Sequence, residues 1–273
     1  MVSQLTMIFM GISAILSILV PTLCLIYFYK KTNISWKTVL VGVIVFIVFS
    51  QVLEKILNVY ILTVNSSTKE LFTNRYLYAL YGAISAAFFE EVGRLLGFYY
   101  LLKKYREWKD GIGYAIGHGG MEAILIGVFA GIQNLLMSNM INSGGFEKLL
   151  SANTSNSSNL LAIKEQLVNT SSYMFLMVGV ERIAVFIIQI ALSLLVLYGV
   201  RTNKKALFLL YAIAAHTSIN FMMLASKSIG LHIFIIEGMI ILIAIASIFV
   251  IKRFKTLFAV NVPYAINNTN KSV

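Results

Sequence analysis

Seven side chains able to move protons, donate hydrogen bonds or bind a cation lie inside long apolar runs of this sequence. Glu90, Glu91 and Arg94 share one run, His118 and Glu122 a second, and His216 and Asn220 a third. Glu90/Arg94, His118/Glu122 and His216/Asn220 are each four residues apart, so on a helix each pair projects from one face. Carboxylates and imidazoles grouped in this way can activate a water, transfer a proton or ligate a divalent cation.

Such residues are costly where they stand. A charged residue at bilayer depth costs roughly 2.5–3.5 kcal/mol on insertion scales, and the group together on the order of 10 kcal/mol if it faced lipid. The side chains must therefore point inward and meet one another. Gly93, Gly97, Gly113, Gly117, Gly119 and Gly120 lie beside them. Small residues let membrane helices approach closely.

The elements that must position these groups are transmembrane helices. Of 273 residues, 59% are hydrophobic and 12% charged, with a mean hydropathy of +0.83; soluble domains carry about 25% charge. Seven apolar runs cover about 5–29, 38–63, 76–102, 111–138, 173–200, 206–226 and 229–251, each long enough to span a bilayer. The expected fold is an all-α, polytopic transmembrane helix bundle of about seven spans, with six to eight as the range. Residues 1–273 form a single membrane domain with a motif-bearing core at about 76–226. The first run follows no basic segment and reads as a retained span rather than a signal peptide. The 139–172 connection, rich in Asn and Ser, reads as a solvated loop with a short amphipathic helix over 160–168.

A net charge of +11 raises nucleic acid as a partner, but the basic residues cluster between apolar runs instead of along one face, so no nucleic acid is expected. They act as topology signals. Lys30, Lys31, Lys37, Lys103, Lys104, Arg106, Lys109, Arg201, Lys204, Lys205, Lys252, Arg253, Lys255 and Lys271 fall on one side, and Lys69, Arg75, Lys148, Lys164 and Lys227 on the other. The imbalance predicts the N-terminus outside and the C-terminus in the cytoplasm. The single cysteine, Cys24, excludes a disulfide framework and a cysteine-based zinc site.

Counted at 1.5 Å per residue from the cytoplasmic ends, Glu90 lies ~19 Å deep, His118 ~12 Å, Glu122 ~18 Å, His216 ~16 Å and Asn220 ~22 Å. Three helices thus bring polar groups to one level, the arrangement of a shared site. Structural readings exist for several of them. Arg94 with Glu90 or Glu91 can be a buried ion pair that fixes packing, and either histidine alone can be a packing residue. Glu54/Lys55 and Glu181/Arg182 sit nearer the outer face and read as structural or interfacial pairs; Glu237 lies deeper, within reach of the cluster.

Glu90-Glu91-Val92-Gly93-Arg94 resembles the EExxR motif of the CAAX-protease and bacteriocin-processing superfamily of intramembrane proteases, which includes the PrsW type. His216-Thr217-Ser218-Ile219-Asn220 is similar to its HxxxN/D motif. Tyr114-Ala115-Ile116-Gly117-His118 fits the motif between them with Tyr in place of Phe, whereas His118-Gly119-Gly120-Met121-Glu122 supplies a Glu without the aromatic. The stretch Gly117-His118-Gly119-Gly120-Met121-Glu122-Ala123 most resembles the YhfC-like branch of intramembrane metalloproteases.

The resemblance implies hydrolysis of a peptide bond in a membrane-embedded or membrane-tethered peptide substrate, in a bacterial cytoplasmic membrane. The candidate catalytic residues are Glu90, Glu91, His118, Glu122, His216 and Asn220, with Arg94 as structural partner. In a metal-free version Glu90 activates water, His216 and Asn220 bind the oxyanion, His118 orients the water or protonates the amine, and Glu91 with Arg94 holds the helix. In a metal version His118, His216 and one of Glu90 or Glu122 ligate a divalent metal such as zinc, leaving a position open. The sequence does not choose between the versions, nor between His118 and Glu122 as the essential middle residue. A non-catalytic scaffold and a proton-coupled transporter are the rival classes.

Overall fold

The computed structural model describes residues 1–152 and 157–260. Helix α1 covers Gln4–Thr32, α2 Trp36–Val64 and the short α3 Ser66–Leu71. Helix α4 covers Arg75–Leu96 and is extended by a π-helical turn over Gly97–Leu101; α5 covers Trp108–Asn142. The short α6 (Gly145–Ala152) and α7 (Ser157–Asn169) come next. Helices α8 (Ser172–Arg201), α9 (Lys205–Ser228) and α10 (Ile233–Ala259) complete the bundle. The described residues contain no strand.

Each expected apolar run is therefore a helix, with ends shifted by one to four residues except at the last, which starts four residues later and runs eight further, to Ala259. Among the described residues, six of the seven long helices are long and apolar enough to cross a membrane. The remaining one, α4, holds Glu90, Glu91 and Arg94, and it packs along α9 and against α2. Its start is set by Asn74, whose side chain accepts hydrogen bonds from the Tyr76 and Leu77 amides, satisfying donors that a helix N-terminus otherwise leaves open.

In the 139–172 connection the helix expected over 160–168 is present within Ser157–Asn169, but the rest departs from the expected loop. Helix α5 continues to Asn142, and α6 and α7 occupy most of the remaining segment. Burial accounts for the difference. Leu167 joins Val2, Met10 and Phe175 in a small second core, Phe146 is fully buried, and Lys164 Nζ lies 2.8 Å from Glu147 Oε1. Residues 153–156 of the Asn/Ser-rich run, and Lys271 of the basic C-terminal cluster, lie outside the described residues.

The first half of α5 is the centre of the bundle. Residues 110–120 are all buried, with glycines on several faces. A Cβ at Gly117 would lie 2.0 Å from the Val39 carbonyl oxygen, and one at Gly42 would lie 2.2 Å from that of Tyr114. Helices α2 and α5 thus cross backbone to backbone one turn from His118. Gly119 faces Gln189 on α8, and Gly120 faces Pro21 on α1.

Because the opposing atom is backbone, it cannot yield without parting the helices. Gly117→Ala is expected to lower stability by roughly 1–3 kcal/mol or more, read as a reduced melting temperature in detergent. Gly11→Ala, where a Cβ meets nothing within 4 Å, should leave the melting temperature unchanged or slightly raised.

Candidate functional site

Glu90 on α4, His118 and Glu122 on α5, and Gln189 on α8 converge in the bundle interior. Glu90 Oε2 lies 3.1 Å from His118 Nε2 and accepts a hydrogen bond from Gln189 Nε2 at 2.9 Å. The same amide nitrogen donates to Glu122 Oε2 at 2.8 Å. One donor atom from each of Glu90, His118 and Glu122 lies within 4.8 Å of the others, and all three residues are buried.

Arg94 braces this group from below. Its guanidinium is fully buried and lies 3.8 Å from Glu90 Oε2 and 3.2 Å from Glu91 Oε2. It donates to the Gln189 backbone oxygen at 3.0 Å, to Ser193 Oγ at 2.7 Å and to Gln189 Oε1 at 2.5 Å. The Gln189 amide is thereby oriented, with its oxygen toward the guanidinium and its NH2 toward two carboxylates. The reverse orientation would set the amide oxygen against both carboxylates.

Glu91 is turned the other way, with Oε1 2.8 Å from His216 Nδ1 on α9. A carboxylate accepting from Nδ1–H holds the ring in one tautomer and leaves Nε2 as the basic nitrogen. His216 and Asn220 both line a cavity of about 470 Å3 whose floor includes Glu90 and Glu122. His118 is fully buried. Its ring is packed edge-on to Phe46 (5.1 Å between centroids) and stacked on Tyr114 (5.8 Å).

The candidate catalytic residues and Arg94 thus fall in or directly around one site. Glu90, His118 and Glu122 come together. His216 stands outside that trio, paired with Glu91, and Asn220 lies on the cavity wall. Gln189 is not singled out in the sequence, and Arg182 reads there only as the structural or interfacial partner of Glu181. Arg182 Nη1 lies 3.6 Å from Glu122 Oε1, and its Nη2 donates to Glu181. Glu54, Lys55, Glu181 and Arg182, expected as structural or interfacial pairs, all line the cavity; Glu237 is buried but does not line it. A signal for Gln189 existed: it is a polar residue in an apolar run, seven residues (two helical turns) after Arg182 and four before Ser193.

The donor set suits a divalent cation. Two carboxylates and an imidazole nitrogen converge with one neutral amide between the carboxylates. The Glu90, Glu91, Glu122 and Glu181 carboxylates are met by Arg94, Arg182 and His216, and a divalent cation would add a positive partner shared by Glu90 and Glu122. Nitrogen and oxygen donors of this kind are those zinc takes. His118 Nδ1 has no hydrogen-bond partner among the described residues, so aromatic packing holds the ring where a carboxylate or carbonyl usually orients a ligating imidazole.

The sequence model of the YhfC intramembrane metalloprotease family matches residues 16–250. The chain belongs to the YhfC family. It is 40% identical over 259 residues to the uncharacterized membrane protein YhfC of Bacillus subtilis (strain 168), an alignment covering 94% of this chain and 100% of that relative. No solved structure matches. With its apolar helices and a bacterial membrane protein as relative, this YhfC-family chain is an integral membrane protein, consistent with the bacterial cytoplasmic membrane.

Proposed function

We propose that the chain is an intramembrane metalloprotease that hydrolyses a peptide bond in a membrane-embedded or membrane-tethered polypeptide. The observation that carries this reading is the buried convergence of Glu90, His118 and Glu122, with Glu90 and Glu122 lining a cavity and His118 packed behind them. The family description supports it. The Glu90–Arg94 and His216–Asn220 spacings support a wider kinship with the CAAX-protease superfamily.

Glu90, His118 and Glu122 would hold the cation, with zinc favoured by the nitrogen and oxygen donors. When bound, a divalent cation there supplies Lewis acidity toward a water and a peptide carbonyl. The remaining work falls to the chain's own residues. Glu91 holds His216 so that Nε2 can take a proton from the attacking water and return it to the leaving amine. Asn220, one turn along α9, offers an amide donor to the carbonyl oxygen as it gains charge. Gln189 and Arg94 keep the two carboxylates converged. One water is consumed: its hydroxyl goes to the carbonyl carbon and its proton to the amine nitrogen as the C–N bond breaks.

The test compares new peptide termini in membranes from cells making the wild-type chain or Glu90→Gln at matched abundance. Termini confined to the wild type are expected, and they name the substrates. Identical terminus sets, with both proteins folded, would move the reading to a non-catalytic scaffold or a transporter.

A further inference from the structure

The cavity extends from the buried carboxylates along one half of the bundle. From Glu90 and Glu122 its walls run through Ser50, Glu54, Asn58 and Leu62 along α2, and through Ala86, Tyr81 and Tyr78 back along α4. Glu181 on α8 and Lys227 near the end of α9 continue the same way. All of these lead toward the ends of the helices joined by residues 65–74 and 229–232. That is the side poor in Lys and Arg.

The opposite direction is closed. Between His118 and the start of α5 at Trp108 lies about 15 Å of helix, surrounded by Ile34, Phe98, Leu102, Ile112, Tyr114 and Leu194, each no more than 2% exposed. Gly111 is met by Leu194 and Leu197, and Gly113 by Thr38. Arg94 fills the remaining space beneath the carboxylates.

The open half is built for hydrogen bonding. Tyr81 Oη and Ser85 Oγ donate to Asn58 Oδ1 at 2.7 and 3.2 Å, and Asn58 Nδ2 donates to Glu54 Oε1 at 3.2 Å. Gln51, Ser50 and Asn220 add further polar groups to the wall. A helical segment satisfies its own backbone and needs no such wall; an extended segment at this depth must find partners for every amide and carbonyl.

We propose that the site is loaded from the extracytoplasmic side by a polypeptide segment in extended form, which runs along the Glu54–Asn58–Tyr81 wall down to Glu90. The occupant rests on the protease reading above. The direction of access rests on the geometry and on the Lys/Arg asymmetry.

The experiment uses single cysteines in a Cys24→Ser background: Asn58→Cys at mid-wall, Ala86→Cys one turn from Glu90, and Lys103→Cys on the basic side. Intact spheroplasts and inverted membrane vesicles are treated with a membrane-impermeant thiol reagent, with labelling after denaturation as reference. Asn58→Cys and Ala86→Cys are expected to label in spheroplasts and Lys103→Cys only in inverted vesicles. Labelling of the two wall cysteines only in inverted vesicles, or from neither side, overturns the proposal. The termini found for the wild type form a second arm: they should map to extracytoplasmic or outer juxtamembrane segments, and cytoplasmic segments would overturn it. Wall cysteines that label from outside, together with no new termini from the wild-type chain, would keep the access route and sink the protease reading.

Discussion

Chelation of the purified protein is expected to abolish peptide hydrolysis, and added zinc to restore it. Glu122→Gln should make that restoration require far more zinc. Removing an outer partner of a metal ligand typically costs about 10–100-fold in affinity, and Glu122 offers one of the three converging donors, so its loss should exceed that range. The measurement is cation content per chain after equilibration with buffered zinc, with hydrolysis read in parallel. Glu122→Gln keeps the shape of the side chain, and its amide can still meet Gln189, so the fold should survive. A variant that binds zinc like the wild type would remove Glu122 from the ligand set. Wild-type hydrolysis that survives full chelation would overturn the metal reading, whatever the variants do.

Arg94→Met is expected to destabilise the protein more than any other single change at the site. The guanidinium is wholly buried and faces Glu90, Glu91, Gln189 and Ser193 together. Removing one partner of a buried ion pair typically costs about 3–5 kcal/mol, because the other charge is left uncompensated. Here two carboxylates lose their common cation. Arg94→Lys should recover only part of the loss: an ammonium restores the charge but cannot span so many acceptors in fixed directions. Thermal melting in detergent, read with and without zinc, is the check. If Arg94→Met melts like the wild type, the bracing role assigned to Arg94 is wrong.

Much of the site was legible before any tertiary structure. Long apolar runs can bury their backbone in a bilayer only as helices, so the runs named the helices. The cost of charge in hydrocarbon required Glu90, Glu91, Arg94, His118, Glu122 and His216 to turn inward. The rise per residue put them at one level, and Glu90 does touch His118, as Glu91 touches His216. Helix α4 illustrates the limit of composition: the charges that make it chemically interesting are the ones that remove it from the helices apolar enough to span.

Other features depended on packing between distant segments. Gln189 is a single polar residue whose importance comes from meeting α4 and α5 at once. The Glu54 and Lys55 wall comes after a π-helical stretch, Ile47–Leu53, and π turns displace later side chains from the 3.6-residue register by which a face is read. The 139–172 segment is polar enough to read as a loop around a short helix, yet its described residues are mostly helical because Phe146 and Leu167 find burial against the rest of the chain.

The sequence by itself determined which residues could not face lipid, and therefore that a buried polar site exists, since insertion cost is a property of each side chain and its depth. Only the tertiary structure decided which partner each one takes. It placed Glu90, His118 and Glu122 in one trio and Glu91 with His216 in a separate pair, because helix rotation and the glycine contacts between α2 and α5 set distances that spacing along one chain does not contain.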